Sequence, residues 1–198
     1  MNARFSLERL IAPVSKETFF ADYWEQKPLL IRREDARWFD GLVTVADIHQ
    51  LITSRRVFHP EIGITNAARK VETHEYTWPS GMIDVARLYQ QFAEGGTIVL
   101  QNLEAELEPL AALCRSMECE LSTRFQTNLY YTPEKAQGFK AHYDSHDVFV
   151  LQVHGMKHWL LYDTPVVLPY RRQEFRPDEH PVGNVTMEFD LHEGDLLY

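Results

Sequence analysis

Along the first half of the chain, hydrophobic positions recur at helical spacing; along the second half they alternate or cluster in short runs. Residues 6–11 predict a short helix ended by Pro13. Ser15 caps a second helix over 16–25, with Glu17 in its first turn. There Phe20, Tyr23 and Trp24 stand at i, i+3 and i+4 and predict one buried aromatic face. Residues 28–31 read as a short strand, and Thr44 with Asp47 opens a helix over 44–52 by a capping arrangement. Residues 55–80 mix charge, Pro and Gly, with a ragged strand at 62–65. A helix over 84–93 ends at Gly95-Gly96, and 97–101 is a strand. Leu110, Leu113, Cys114, Met117 and Leu121 mark one more amphipathic helix.

From there the pattern becomes β. Residues 125–132 and 138–144 read as strands. The run 147–153, rich in β-branched and aromatic residues, turns at His154-Gly155 and returns over 158–162, which predicts a hairpin with Lys157 at the start of its second strand. Pro165, Pro169, Pro177 and Pro181 mark a long loop. Residues 185–191 alternate as a strand, 192–195 turn, and 196–198 begin another strand. Helices followed by short strands predict an α+β, mainly β chain with helical N-terminal elements. The expected organisation is a single domain over 1–198, with 1–95 mainly helical and 96–198 the β core.

Composition adds limits. The 198 residues suffice for one domain with a proper core. A net charge of −9 argues against a general nucleic-acid binder and is compatible with docking onto a basic protein. Cys114 and Cys119 form no Cys-x-x-Cys pattern, which implies a reducing compartment, and both read as small buried hydrophobes. No signal-peptide core and no apolar run of about 20 residues is present, so no membrane partner is expected. The expected location is the cytoplasm, or the nucleus if the source is eukaryotic.

The candidate chemistry centres on His142-Tyr143-Asp144. On a strand, residues two apart point the same way, so His142 and Asp144 project together with Tyr143 opposite. One imidazole and one carboxylate are two thirds of the 2-His-1-carboxylate triad that holds non-haem Fe(II). Asn128 and Tyr130 likewise share a strand face. Asn128 could line a pocket or satisfy backbone at a sheet edge; Tyr130 could face a partner or sit in the core with a wet tip. Trp159, Phe149 and Leu151 read as core.

Three stretches carry a resemblance. They are Asn128-Leu-Tyr130-Tyr-Thr132-Pro133, Gly138-Phe139-Lys-Ala-His142-Tyr143-Asp144, and Asp147 through Trp159. Their fixed spacing resembles the JmjC-type branch of the cupin superfamily, and within it the group that includes the ribosomal oxygenases. The likeness runs more weakly upstream to about the start of the chain.

The resemblance implies a double-stranded β-helix, the jelly-roll or cupin fold. It implies an Fe(II)- and 2-oxoglutarate-dependent dioxygenase that hydroxylates a protein side chain, with a ribosomal protein as the suggested substrate. His142 and Asp144 would be the metal ligands. Lys157 would hold the far carboxylate of 2-oxoglutarate, Asn128 and Thr132 would line the cosubstrate pocket, and Tyr130 would reach the protein substrate. The partners would be 2-oxoglutarate, O2 and that protein, with a homodimer compatible with a full-length form.

One departure stands out. In the family a distal His follows Gly-Asp-x-Leu-Tyr-x-Pro-x-Gly-x-x-His, whereas here Gly194-Asp195-Leu-Leu-Tyr198 is the last segment. The third ligand and the strands that close the barrel are expected beyond Tyr198, as in a fragment or a truncated product. His180 and His192 are the nearest upstream histidines but lack the ligand's context. The competing readings are a non-catalytic cupin-like protein-binding module without the third ligand, and a cupin metal enzyme that does not use 2-oxoglutarate.

Overall fold

The computed structural model describes residues 5–164 and 166–198, so Pro165 of the long loop and Met1–Arg4 of the N-terminal reading lie outside the described residues. In chain order the elements are α1 (Leu7–Ile11), α2 (Lys16–Asp22), β1 (Leu30–Ile31), α3 (Val45–Thr53), β2 (Ile62–Thr65), α4 (Val85–Ala93), β3 (Thr97–Leu100), α5 (Glu108–Leu121), β4 (Leu129–Tyr131), β5 (Val150–Leu151), β6 (Met156–Tyr162), β7 (Val185–His192) and β8 (Leu196–Leu197). They fall into two compact units, one of Met1–Leu42 with Ala141–Tyr198, the other of Val43–Lys140.

In the Val43–Lys140 unit, β2, β3 and β4 form an antiparallel sheet in that order. Ile62 and Ile64 of β2 and Ile98 and Leu100 of β3 are buried. Helix α3 starts where the sequence indicates. Asp47 N–H donates to Thr44 Oγ1 (3.2 Å), and Thr44 N–H donates to the Asp47 carboxylate (2.8 Å), so each residue satisfies a backbone donor of the other. This fixes the helix so that Ile48 and Ile52 are buried. Thr44→Ala removes that exchange and is expected to cost about 1 kcal/mol. Urea denaturation checks it, as a lower midpoint at unchanged slope.

Helix α5 buries Leu110, Leu113, Cys114 and Met117, in line with the periodicity. Cys119 differs from expectation: it is exposed. Two residues past Met117, it has rotated off the buried stripe, whereas Cys114 lies one turn before Met117 and in it.

In the other unit, β1, β8 and β5 form one antiparallel sheet in that order and β6 pairs antiparallel with β7. Phe189, Leu191 and Leu197 form a buried cluster, with Leu30, Val150, Trp159, Leu161 and Met187 packed against it. Every strand of both sheets thus contributes to one apolar layer.

Three expectations are corrected in this unit. The hairpin over 147–162 does not form: β5 pairs with β8, and β6 with β7. Gly155, at φ +67°, carries the chain from one sheet into the other, so consecutive strands are wired to different sheets. Residues 138–144 belong to no strand, although burial still alternates from Lys140 to Asp144. Finally, the buried aromatic of α2 is Phe19, at 0% exposure, while Phe20 is 41% exposed. The helix stops at Asp22, so Tyr23 and Trp24 lie beyond the last helical turn and the i+3, i+4 spacing no longer applies. Phe19 instead meets Tyr198 edge-on (centroids 5.0 Å apart) and lies 5.9 Å from Phe149.

Candidate metal and carboxylate site

The stretch carrying His142, Tyr143 and Asp144 lies outside any strand, with His142 and Asp144 exposed and Tyr143 half-buried. The two candidate ligands thus share exposure while the residue between them turns inward, an alternation kept without a strand ladder. A neutral imidazole with a carboxylate is a donor pair suited to Fe(II). Among the described residues no group of three or more His, Cys, Asp and Glu is gathered as a metal site.

Lys157 lies on β6, where alternate residues point inward. Lys157, Trp159 and Leu161 are half-buried, and their register partners on β7 are Leu191, Phe189 and Met187. Lys157 thus stands opposite a fully buried leucine, at the border of the apolar cluster. Burial lowers its pKa below the ordinary lysine value. Among the described residues no carboxylate pairs with it. The indole Nε1–H of Trp159, two residues along on the same face, is buried without an acceptor. A buried unmet donor costs roughly 1–3 kcal/mol. One ammonium with no protein partner among the described residues and one buried N–H without an acceptor, on one strand face, fit a carboxylate-bearing ligand. Trp159 is thus core, as expected, yet also brings a donor that the sequence reading left out. Its spacing of two from Lys157 was the available signal.

On the outer face of β6, His158 Nδ1 lies 2.8 Å from Asp190 and Nε2 3.3 Å from Glu188, which raises its pKa. This histidine is engaged in ion pairs on the side away from Lys157.

Asn128, Tyr130 and Thr132 belong to the other unit, along β4 and its flanks. Asn128 Oδ1 accepts from Asn102 N–H (3.3 Å) and Gln126 Nε2–H (2.9 Å), which leaves its amide nitrogen to donate elsewhere. Tyr130 is 46% exposed and meets the exposed Phe139 edge-on at 5.4 Å. Thr132 Oγ1 is 3.0 Å from Oγ1 of the buried Thr97. The same Thr97 crowds Gly138, where a Cβ would fall 2.6 Å from its hydroxyl. That close approach explains the glycine in Gly138-Phe139.

Behind the turn before β8 is a group the sequence reading missed. Asp195, 2% exposed, accepts from the backbone N–H of Arg33 (2.7 Å) and of His192 (3.0 Å). The Arg33 guanidinium donates to the carbonyls of Gly194 (2.8 Å), Ala12 (3.0 Å) and Leu10, and lies 4.6 Å from the Trp38 ring. Burial pushes its pKa down to about 10. Gly194 sits at φ +90°, and a side chain there would collide with the Asp35 carbonyl, 2.2 Å from its Cβ.

Comparison with known proteins adds four findings. The JmjC-domain family profile matches residues 99–198. Ribosomal oxygenase 2 of Bos taurus is 33% identical over 198 residues, covering 96% of this chain and 41% of the relative. A protein of Aedes aegypti described as a bifunctional lysine-specific demethylase and histidyl-hydroxylase, NO66, is 31% identical over 193 residues, covering 96% of this chain and 30% of its own. Among solved structures, YcfD, a ribosomal oxygenase from Escherichia coli in complex with cobalt and succinic acid, superposes with a TM-score of 0.55 at 17% identity. That match covers 94% of this chain and 45% of YcfD. The chain thus spans less than half the length of each of these proteins. The structural likeness establishes the fold: α+β, mainly β, of the jelly-roll cupin type expected from the sequence.

Proposed function

Because the chain belongs to the JmjC-domain family, matched over residues 99–198, we propose that it is an Fe(II)- and 2-oxoglutarate-dependent oxygenase, or the part of one that binds metal and cosubstrate. The proposed reaction is hydroxylation of a protein side chain, with a ribosomal protein as the substrate class that the relatives' names support. In this reading residues 1–198 belong to one domain of the family.

The observation that carries the proposal is Lys157. A half-buried lysine with no counter-ion among the described residues, with a buried indole N–H on the same strand face, suits an anion. The far carboxylate of 2-oxoglutarate supplies one. His142 and Asp144 would hold the metal, and the third protein ligand would be the histidine expected beyond Tyr198. When bound, iron with 2-oxoglutarate supplies the O2-activating chemistry that a polypeptide lacks.

The chain's own residues do the rest. His142 would ligate through a ring nitrogen and Asp144 through a carboxylate oxygen. Lys157 fixes the direction of the cosubstrate, and the apolar cluster below it excludes water. Asn128 and Thr132 are proposed as further cosubstrate contacts, and the exposed Tyr130 as a contact to the protein substrate. A net charge of −9 would favour encounter with a basic partner.

Mn(II) titration of the chain, followed by loss of the free-ion EPR signal, tests the ligand assignment. Wild type is expected to bind saturably, and His142→Ala or Asp144→Ala to bind about tenfold to a hundredfold more weakly. Equal binding by all three would overturn the assignment. No binding by wild type would favour the non-catalytic module.

A further inference from the structure

We infer that His180 is a positioning residue for the metal-ligand pair: it clasps Tyr143 from behind and so sets the direction in which His142 and Asp144 project. The inference rests on the reading of His142 and Asp144 as ligands.

The reasoning begins with the backbone. His142-Tyr143-Asp144 lies in no strand, so the ladder bonds that hold a strand's rotation do not fix it. Successive side chains here alternate in burial and are carried by one backbone, so the segment cannot rotate without moving Tyr143. Whatever holds Tyr143 therefore holds the orientation of the residues on either side.

Tyr143 is held on two sides. Its ring meets Phe175 edge-on, with centroids 5.3 Å apart at 83°. It also meets the His180 ring at 5.4 Å and 66°. Its hydroxyl lies 3.3 Å from His180 Nε2. Such aromatic pairs contribute beyond simple burial.

His180 is itself locked. Its Nδ1 accepts the backbone N–H of Arg176 at 2.9 Å. In the neutral ring the proton is then on Nε2, which donates to the Tyr143 hydroxyl. Around it, the backbone N–H groups of Glu179 (3.0 Å) and His180 (2.8 Å) both donate to the Arg176 carbonyl. The Arg176 guanidinium pairs with Glu179 at 2.9 Å. The segment 175–180 is a closed turn that presents Phe175 and His180 to Tyr143.

This arrangement gives His180 a role other than ligand. Both of its ring nitrogens are committed, Nδ1 to Arg176 and Nε2 to Tyr143. It also explains why the residue between the two candidate ligands is tyrosine: phenylalanine would keep the ring contacts but lose the hydroxyl that reaches His180.

The test compares wild type, Tyr143→Phe, His180→Ala and His180→Gln by Mn(II) affinity and by thermal unfolding. The glutamine amide nitrogen can take the place of Nε2 as donor. Tyr143→Phe and His180→Ala are expected to weaken Mn(II) binding about tenfold, the lower end of what outer-sphere substitutions do. His180→Gln is expected to regain most of that loss. The unfolding midpoint of Tyr143→Phe should stay near wild type, which separates positioning from general destabilisation. Unchanged affinity in both Tyr143→Phe and His180→Ala, with wild type binding through His142, would overturn this inference alone. Wild-type binding that ignores His142→Ala would overturn the ligand assignment and this inference with it.

Discussion

Lys157→Met is expected to weaken 2-oxoglutarate binding by a hundredfold or more while leaving Mn(II) affinity within about twofold. Truncating one partner of a partly desolvated charge pair costs on the order of 2–5 kcal/mol, and a hundredfold is about 2.7 kcal/mol. Methionine keeps the length of the side chain and fits the apolar border formed by Leu191 and Trp159. The unliganded variant should be no less stable than wild type, because it no longer half-buries a charge that has no partner among the described residues. The pH dependence follows. The folded-state pKa of Lys157 is depressed, so in the window between that value and the unfolded value of about 10.4 the unfolded chain binds more protons. The penalty of burying the ammonium is fully present below that window and fades as pH rises through it. This site's contribution to the stability of the unliganded chain therefore increases with pH there, and Lys157→Met removes that slope. Ligand affinity moves the other way, falling as the ammonium deprotonates. Calorimetric titration with 2-oxoglutarate and urea melts across that pH range measure the two trends.

Asp195→Ala is the second large effect, and it acts on the fold. The buried carboxylate accepts two backbone N–H groups, from Arg33 and His192, that alanine leaves unmet. It also removes the buried negative charge beside the Arg33 guanidinium. Unmet buried donors cost about 1–3 kcal/mol each, so two of them give about 2–6. Arg33 keeps its three carbonyl acceptors, so the expected loss is about 3 kcal/mol, towards the low end of that range. The loss should appear as a lower urea midpoint. Because β8 begins at Leu196 and is paired with β1 and β5, the variant should also expose the β1–β8–β5 sheet to faster amide exchange.

How much of this was legible in the sequence depends on the range of the interaction. Helix α3 was readable because Thr44 and Asp47 are three residues apart and cap each other. Strands β2 and β3 and the buried stripe of α5 were readable for the same reason, since propensity and periodicity act over a few residues. The hairpin was misread because β5, β6, β7 and β8 have similar local character, and only the packing of Phe189, Leu191 and Leu197 decides their partners. Phe19 was missed because the end of α2 changes which residues count as one face.

The site divides along the same line. His142, Asp144 and Lys157 stand in a local pattern with fixed spacing. Nothing local to His180 marks it, since its partner Tyr143 is 37 residues away. Arg33 and Asp195 are 162 residues apart, and their pairing appears only when the chain is folded.

The central claim is that this chain holds a metal through His142 and Asp144 and a dicarboxylate through Lys157. Its most direct test is an anaerobic titration with Fe(II) and 2-oxoglutarate, followed by the visible charge-transfer band of the chelate. The account predicts a saturable band that requires both components, disappears in His142→Ala, and in Lys157→Met needs about a hundredfold more 2-oxoglutarate. No band at saturating concentrations of both, or a band undiminished in His142→Ala, would contradict it.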